Sequence, residues 1–148
     1  VEPEEEDEEP PAPDPVLYPA PVTALQVPKI ASPSGNIVCT LGEAGAECSI
    51  ASYSFQTPET QTCQARPVTL TTGPPAPTVG CVTDPVSPAG ATTLSYGDFA
   101  TFGNAACESR ETGMICWDTV TGGTIAVARE GHYLGQQGPG SLTRFPWE

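Results

Sequence analysis

The chain has 148 residues with five basic and eighteen acidic side chains, a net charge of −13. That balance argues against a nucleic-acid partner, whose phosphates need Lys or Arg, and against an anionic membrane surface. No apolar run approaches the ~20 residues that span a bilayer, so any membrane anchor is expected ahead of Val1.

Residues 1–15 are acid and proline. Eight of the eighteen acids lie in residues 1–14: Glu2, Glu4, Glu5, Glu6, Asp7, Glu8, Glu9 and Asp14. Ten acids and five bases remain for the rest of the chain, which is only mildly acidic. Such a tail has no apolar surface to bury and is expected to be disordered or extended. Glu4, Glu5, Glu6, Asp7, Glu8 and Glu9 are its candidate contacts to a basic protein surface.

Residues 16–28 form a Pro-punctuated linker that still carries Val16, Leu17, Tyr18, Val22, Leu25 and Val27. One reading is a semi-rigid spacer. The other puts Leu17, Tyr18 and Leu25 in a groove, on this domain or on a partner. Leu17 and Tyr18 are candidate partner contacts on the second reading.

Residues 29–135 change to short β-like runs between turn residues. The expected strands are 35–40, 47–51, 68–71, 78–82, 92–96, 114–119 and 124–129. Ser32-Pro33-Ser34, Gly73-Pro74-Pro75, Ser87-Pro88-Ala89-Gly90 and Thr121-Gly122-Gly123 punctuate them. No dozen residues keep a helical period. The expectation is an all-β domain: a small disulfide-stapled curled sheet or sandwich of about seven short antiparallel strands, with extended N- and C-terminal tails.

Six cysteines, Cys39, Cys48, Cys63, Cys81, Cys107 and Cys116, lie 9, 15, 18, 26 and 9 positions apart. Zinc sites need tighter Cys pairs or several histidines. An even count in a small Gly- and Pro-rich chain reads as a disulfide framework and as an oxidising compartment: periplasm, cell envelope or medium. A repeat selects the pairing. The pattern G-N-x2-C-x3-E-x-G-x2-C occurs at Gly35–Cys48 and again at Gly103–Cys116. Each copy reads as a hairpin with Gly45 or Gly113 free to take positive φ. The Cys at each stem then faces its partner across the ladder. This favours Cys39–Cys48 and Cys107–Cys116, and leaves Cys63–Cys81.

The stretch Ser32-Pro33-Ser34-Gly35-Asn36-Ile37-Val38-Cys39, with Cys48-Ser49-Ile50 and Leu94-Ser95-Tyr96-Gly97 after it, resembles a domain of unknown function in exported actinobacterial proteins and lipoproteins. The likeness covers about residues 31–134 and closes on residues 121–129. There Gly123-Thr124-Ile125 departs from the Gly-Phe of that family. The resemblance implies a fold and an exported location, and no activity.

Catalytic constellations are missing. The single histidine, His132, follows the last expected strand, and no G-x-S-x-G elbow precedes it. Glu43, Glu47, Asp84, Asp98, Glu108, Glu111, Asp118 and Glu130 fall mostly at turns, as solvated residues would. No calcium loop, P-loop or dinucleotide fingerprint occurs. No enzyme activity, cofactor or metal is expected. Tyr53, Phe55, Tyr96, Phe99, Phe102 and Trp117 are expected to pack against the disulfides. Residues 136–148 are a Gly- and Pro-rich tail ending in Phe145-Pro146-Trp147. Phe145 and Trp147 either fold back or, as the favoured expectation, anchor on another protein.

The expected function is a non-catalytic extracytoplasmic interaction protein, such as an accessory subunit on the outer face of a membrane-bound complex, a respiratory one included. The competing expectation is a secreted carbohydrate- or ligand-binding domain, or a hydrolase with an unrecognised cleft.

Overall fold

The computed structural model describes residues 16–56, 67–81, 84–142 and 144–148. The acidic contacts Glu4–Glu9 and Cys63, predicted to pair with Cys81, lie outside the described residues. The described residues form twelve strands and no α-helix. They are β1 Leu25–Gln26, β2 Lys29–Ala31, β3 Ile37–Gly42, β4 Gly45–Ile50, β5 Val68–Thr71, β6 Thr78–Cys81, β7 Thr92–Thr93, β8 Phe99–Phe102, β9 Ala105–Arg110, β10 Gly113–Asp118, β11 Thr124–Ala128 and β12 Gly131–Gly135. Two six-stranded sheets result, ordered β6-β5-β4-β3-β2-β7 and β1-β8-β9-β10-β11-β12. The all-β fold is as expected, but there are twelve strands rather than seven. The sheets are also mixed, because β1 pairs parallel with β8 and β7 parallel with β2.

The sequence repeat is the visible part of a larger duplication. Adding 68 to the residue numbers of β3 and β4 gives β9 and β10. The row of paired residues through the cysteines of one sheet runs Thr92, Ile30, Cys39, Cys48, Leu70, Val79. The matching row of the other sheet runs Leu25, Ala100, Cys107, Cys116, Ile125, Leu134. Each half of the chain is thus a five-stranded antiparallel meander preceded by a two-residue strand. That short strand crosses over and adds, in parallel, to the first strand of the other half's sheet. Both halves hold each other by one exchanged edge.

Side chains alternate faces along a strand, so the cysteines and their row point into the space between the sheets. Ile30, Ile37, Leu41, Ile50, Val68, Leu70, Leu94, Met114, Ile125 and Val127 fill that space with the two disulfides. Their neighbours on β9–β11, Ala106, Ile115, Trp117 and Ala126, face outward and make a second apolar layer. Trp117 therefore packs away from the disulfide of adjacent Cys116, against the expectation. Tyr53 and Phe55 do pack on the first core, while Tyr96 and Phe102 are exposed by about half.

The two hairpin loops are Glu43-Ala44 and Glu111-Thr112, with Gly45 at φ +95° and Gly113 at φ +154° opening the return strands, as the spacing predicts. The asparagines of the repeat lock neighbouring backbone. Asn36 donates from Nδ2 to the Ser52 carbonyl at 2.9 Å and accepts from the Ser52 N–H at 2.8 Å. Asn104 donates to the Glu43 carbonyl at 3.1 Å, tying the β8–β9 turn to the β3–β4 turn of the opposite sheet. The S-P-S-G-N segment is thus structural: Ser32 Oγ accepts from Ile37 N–H at 3.1 Å, and Gly35 holds φ +80°. Asn36→Ala removes two such bonds and is expected to lower stability by about 1–3 kcal/mol. Urea titration checks this, and an unshifted midpoint would mean that Ser52 is held by other contacts.

Candidate interaction surface and the sites around it

The expected linker and C-terminal tail are both built into the fold. Leu17 and Tyr18 N–H groups donate to the Thr119 carbonyl at 3.1 and 3.0 Å. Trp117 Nε1 donates to the Tyr18 carbonyl at 2.7 Å. The Tyr18 ring lies so close over Gly122 and Gly138 that a methyl at either would overlap it. Tyr18 is therefore an internal anchor rather than a partner contact. Residues 16–28 are not a spacer either, because β1 adds an edge to a sheet whose outer layer this segment helps to cover.

The same anchoring turns other side chains outward. Relative exposures are 55% for Val16, 63% for Leu17, 103% for Val22 and 45% for Leu25. Their backbone is held at both ends, at Thr119 and through the pairing of Leu25 and Gln26 with Ala100 and Thr101. This gives a fixed apolar ridge directly after the acidic residues. Leu17 and Leu25, which one reading of the sequence placed in a groove, are exposed on this domain. That reading missed Val22, whose full exposure depends on the turn at residues 21–24, where Ala24 N–H donates to the Pro21 carbonyl at 3.0 Å.

The C-terminal tail folds back rather than docking elsewhere. It enters through a 3-10 turn, Pro139–Ser141, and seats Leu142 and Phe145 in the outer layer, with Phe145 only 2% exposed. The Arg110 guanidinium lies 4.8 Å over the Phe145 ring, reaches the Leu142 carbonyl at 3.3 Å and pairs with Glu108 at 3.1 Å. Trp147 stacks on Phe145 at 4.8 Å and donates from Nε1 to the Thr112 carbonyl at 2.9 Å. Phe145 and Trp147 are thus anchors of this chain on itself. The reason is the apolar layer of Ala106, Ile115 and Ala126, which the chain itself must cover.

At that end of the sandwich an open cleft of about 460 Å³ is lined by Asn36, Tyr96, Arg129, Glu130, Trp147 and Glu148, among others. Most of its polar groups are already engaged in the fold. Asn36 is spent on Ser52 and the Trp147 indole on Thr112. The Thr112 hydroxyl, with the Phe145 backbone and nearby Arg144 and Arg110, holds the Glu148 carboxyl below its usual range. His132 lies on an edge strand with its ring 5.1 Å from Phe55. Asp118, expected as a solvated turn residue, is 2% exposed. Its carboxylate caps the β10–β11 turn by accepting from Val120 and Thr121 N–H at 2.8 and 2.9 Å. Tight turns leave N–H groups unpaired, and a buried carboxylate satisfies two of them.

The bridges Cys39–Cys48 and Cys107–Cys116 form as the repeat predicts, each across a pair with Cα atoms 4.0 Å apart. Cys81 is also disulfide-bonded, and no free cysteine is found among the described residues. The Cys39, Cys107 and Cys116 sulfurs lie within 4.8 Å of one another. Metal ligation needs thiolates, and all three sulfurs are taken up in disulfides, Cys39 with Cys48 and Cys107 with Cys116. Persistent disulfides fit an oxidising, extracytoplasmic setting. No helix among the described residues is long and apolar enough to cross a membrane. Comparison with family models, with curated proteins and with solved structures returned no match.

Proposed function

We propose that this chain is a non-catalytic protein-binding module that works outside the cytoplasm, as an accessory subunit on the outer face of a membrane-bound complex. The disulfide core supports the compartment. The resemblance of the S-P-S-G-N-I-x-C segment to exported actinobacterial domains supports it too. The observation that carries the binding role is the ridge of Val16, Leu17, Val22 and Leu25. These are apolar side chains held outward on a fixed backbone, where a soluble monomer gains nothing from them. The acids of residues 2–14 come just before these side chains in the chain and suit a partner by complementarity: a protein with a basic surface beside an apolar groove. The acids raise the encounter rate, and the ridge supplies the contact that persists.

The test is a photo-cross-linker placed at Val22 and, as a control, at Leu134 on the far edge, in the protein's own membranes. The expected adduct forms at Val22 and not at Leu134. Its yield falls with salt in the full chain and loses that dependence when residues 1–14 are deleted, because the attraction is screened over about 8 Å at physiological ionic strength. Equal adducts at both positions, or equal salt slopes for both chains, would remove the support for this surface.

A further inference from the structure

The duplication is clamped at one end of the sandwich and open at the other. At the clamped end the β8–β9 turn presses on the β3–β4 turn of the opposite sheet. A methyl on Gly103 would lie 2.6 Å from the Gly42 carbonyl carbon. Asn104 N–H donates to the Gly42 carbonyl at 3.0 Å, and the Asn104 side chain donates to the Glu43 carbonyl at 3.1 Å. Subtracting 68 gives Gly35 and Asn36, which by the duplication should clamp the β9–β10 turn. They do not. A methyl on Gly35 would meet nothing within 4 Å. Asn36 N–H turns to Ser34 Oγ at 3.2 Å, and the Asn36 side chain turns to Ser52. The cleft of about 460 Å³ takes the place of this clamp. It is lined by Ser34 and Asn36 from the β2–β3 connection of one sheet and by Glu111 and Arg129 from the other. The equivalent hollow beside the β3–β4 turn is lined by residues 40–47, 71, 73 and 74, all from one sheet and its loops.

The cleft also holds groups that the fold does not use. Tyr96 is 49% exposed, yet its backbone is tied to both sheets. Leu94 N–H donates to the Ala31 carbonyl at 2.9 Å, and Gly97 N–H donates to the Ser109 carbonyl at 2.6 Å. Arg129 is held through its carbonyl, which accepts from Ser54 N–H at 2.7 Å and from Ser54 Oγ at 3.0 Å. Among the described residues neither its guanidinium nor the Glu130 carboxylate has an ion-pair partner. The lining carries two arginines and three glutamates, too nearly balanced to select a highly charged ligand.

We propose that this cleft binds a short stretch of a neutral saccharide. The Tyr96 ring offers an apolar plane to the C–H face of a pyranose. Arg129 supplies a fork of donors and Glu130 an acceptor for neighbouring hydroxyls. The fixed backbone of Tyr96 and Arg129 limits the ordering cost of binding. This site goes beyond the protein-binding role and does not compete with it. The ridge segment is anchored at Thr119, past one end of β10, and the cleft lies at Gly113, the other end.

The experiment titrates the isotope-labelled full chain with chitotetraose, cellotetraose and maltotetraose, each to about 5 mM, and follows backbone amide resonances. At least one is expected to shift Tyr96, Gly97, Glu111 and Glu130, with a Kd of about 0.1–1 mM. No shift with any of the three, or shifts confined to the ridge at residues 16–25, overturns the inference. Tyr96→Ala is expected to weaken binding at least about tenfold and to leave the melting temperature within about 2 °C, because half-exposed side chains contribute little to stability. Arg129→Gln, whose guanidinium holds nothing in the fold, is the second variant and is expected to weaken binding without loss of structure. Binding by either folded variant as tight as that of the wild type overturns the inference.

Discussion

Full reduction is expected to lower the melting temperature of this domain by at least about 15–20 °C. Each nine-residue separation closes a short loop, and cross-linking such a loop removes chain entropy worth about 2.5–3 kcal/mol. The two described hairpin bridges together contribute about 5 kcal/mol, a large part of the 5–15 kcal/mol that stabilises an ordinary domain. At this size each kcal/mol moves the melting temperature by roughly 3–4 °C. The effect is large because the core has few alternatives. Between the sheets the cysteines sit in the central row, flanked by Ala100 and Ile125 on one side and by Ile30 and Leu70 on the other. Calorimetry with and without a phosphine reductant makes the measurement. A transition shifted by less than about 5 °C would mean that packing alone carries the fold.

Phe145→Ala is expected to destabilise the isolated chain by about 3–5 kcal/mol, as for other fully buried aromatic truncations. The substitution empties the space between Ile115 and the Arg110 guanidinium and removes the surface on which Trp147 stacks. The midpoint of chemical denaturation should fall, and the tryptophan emission of the folded protein should shift to the red as Trp147 gains solvent. Leu17→Ser is the matched control. Leu17 is 63% exposed, so its loss should change stability by less than about 0.5 kcal/mol. A Phe145→Ala protein as stable as the wild type would show that the tail does not hold its own sheet.

Several features were legible in the residues because they are local. The G-N-x2-C-x3-E-x-G-x2-C repeat fixed two hairpins, the glycine at each turn and both cysteine pairings. In a tight antiparallel hairpin, loop length sets the register, and register decides which side chains face each other. Even the strands that propensity overlooked follow from it. β9, Ala105–Arg110, has no β-branched residue, yet the repeat requires an arm there to oppose β10.

Other features arise only from association across the chain. β1 and β7 are two residues long, too short for any pattern to announce them, and they exist because another sheet's edge receives them. The exposure of Leu17 beside a partly buried Tyr18 follows from one carbonyl, that of Thr119, which takes the N–H groups of both residues, and the exposure of Val22 follows from the turn at residues 21–24. Phe145-Pro146-Trp147 reads equally well as an anchor for a partner or for itself. What decides between them is the outward layer of Ala106, Ile115, Trp117 and Ala126 on three adjacent strands. Period-two alternation in the sequence shows that each strand has two faces, but not which of them another part of the chain must cover. The sequence by itself therefore determined the stapled hairpins, where the forces act over a dozen residues. The tertiary structure alone decided the exchange of edges, the covered outer face and the contact between the two disulfides. Those depend on surfaces that form only when distant segments meet.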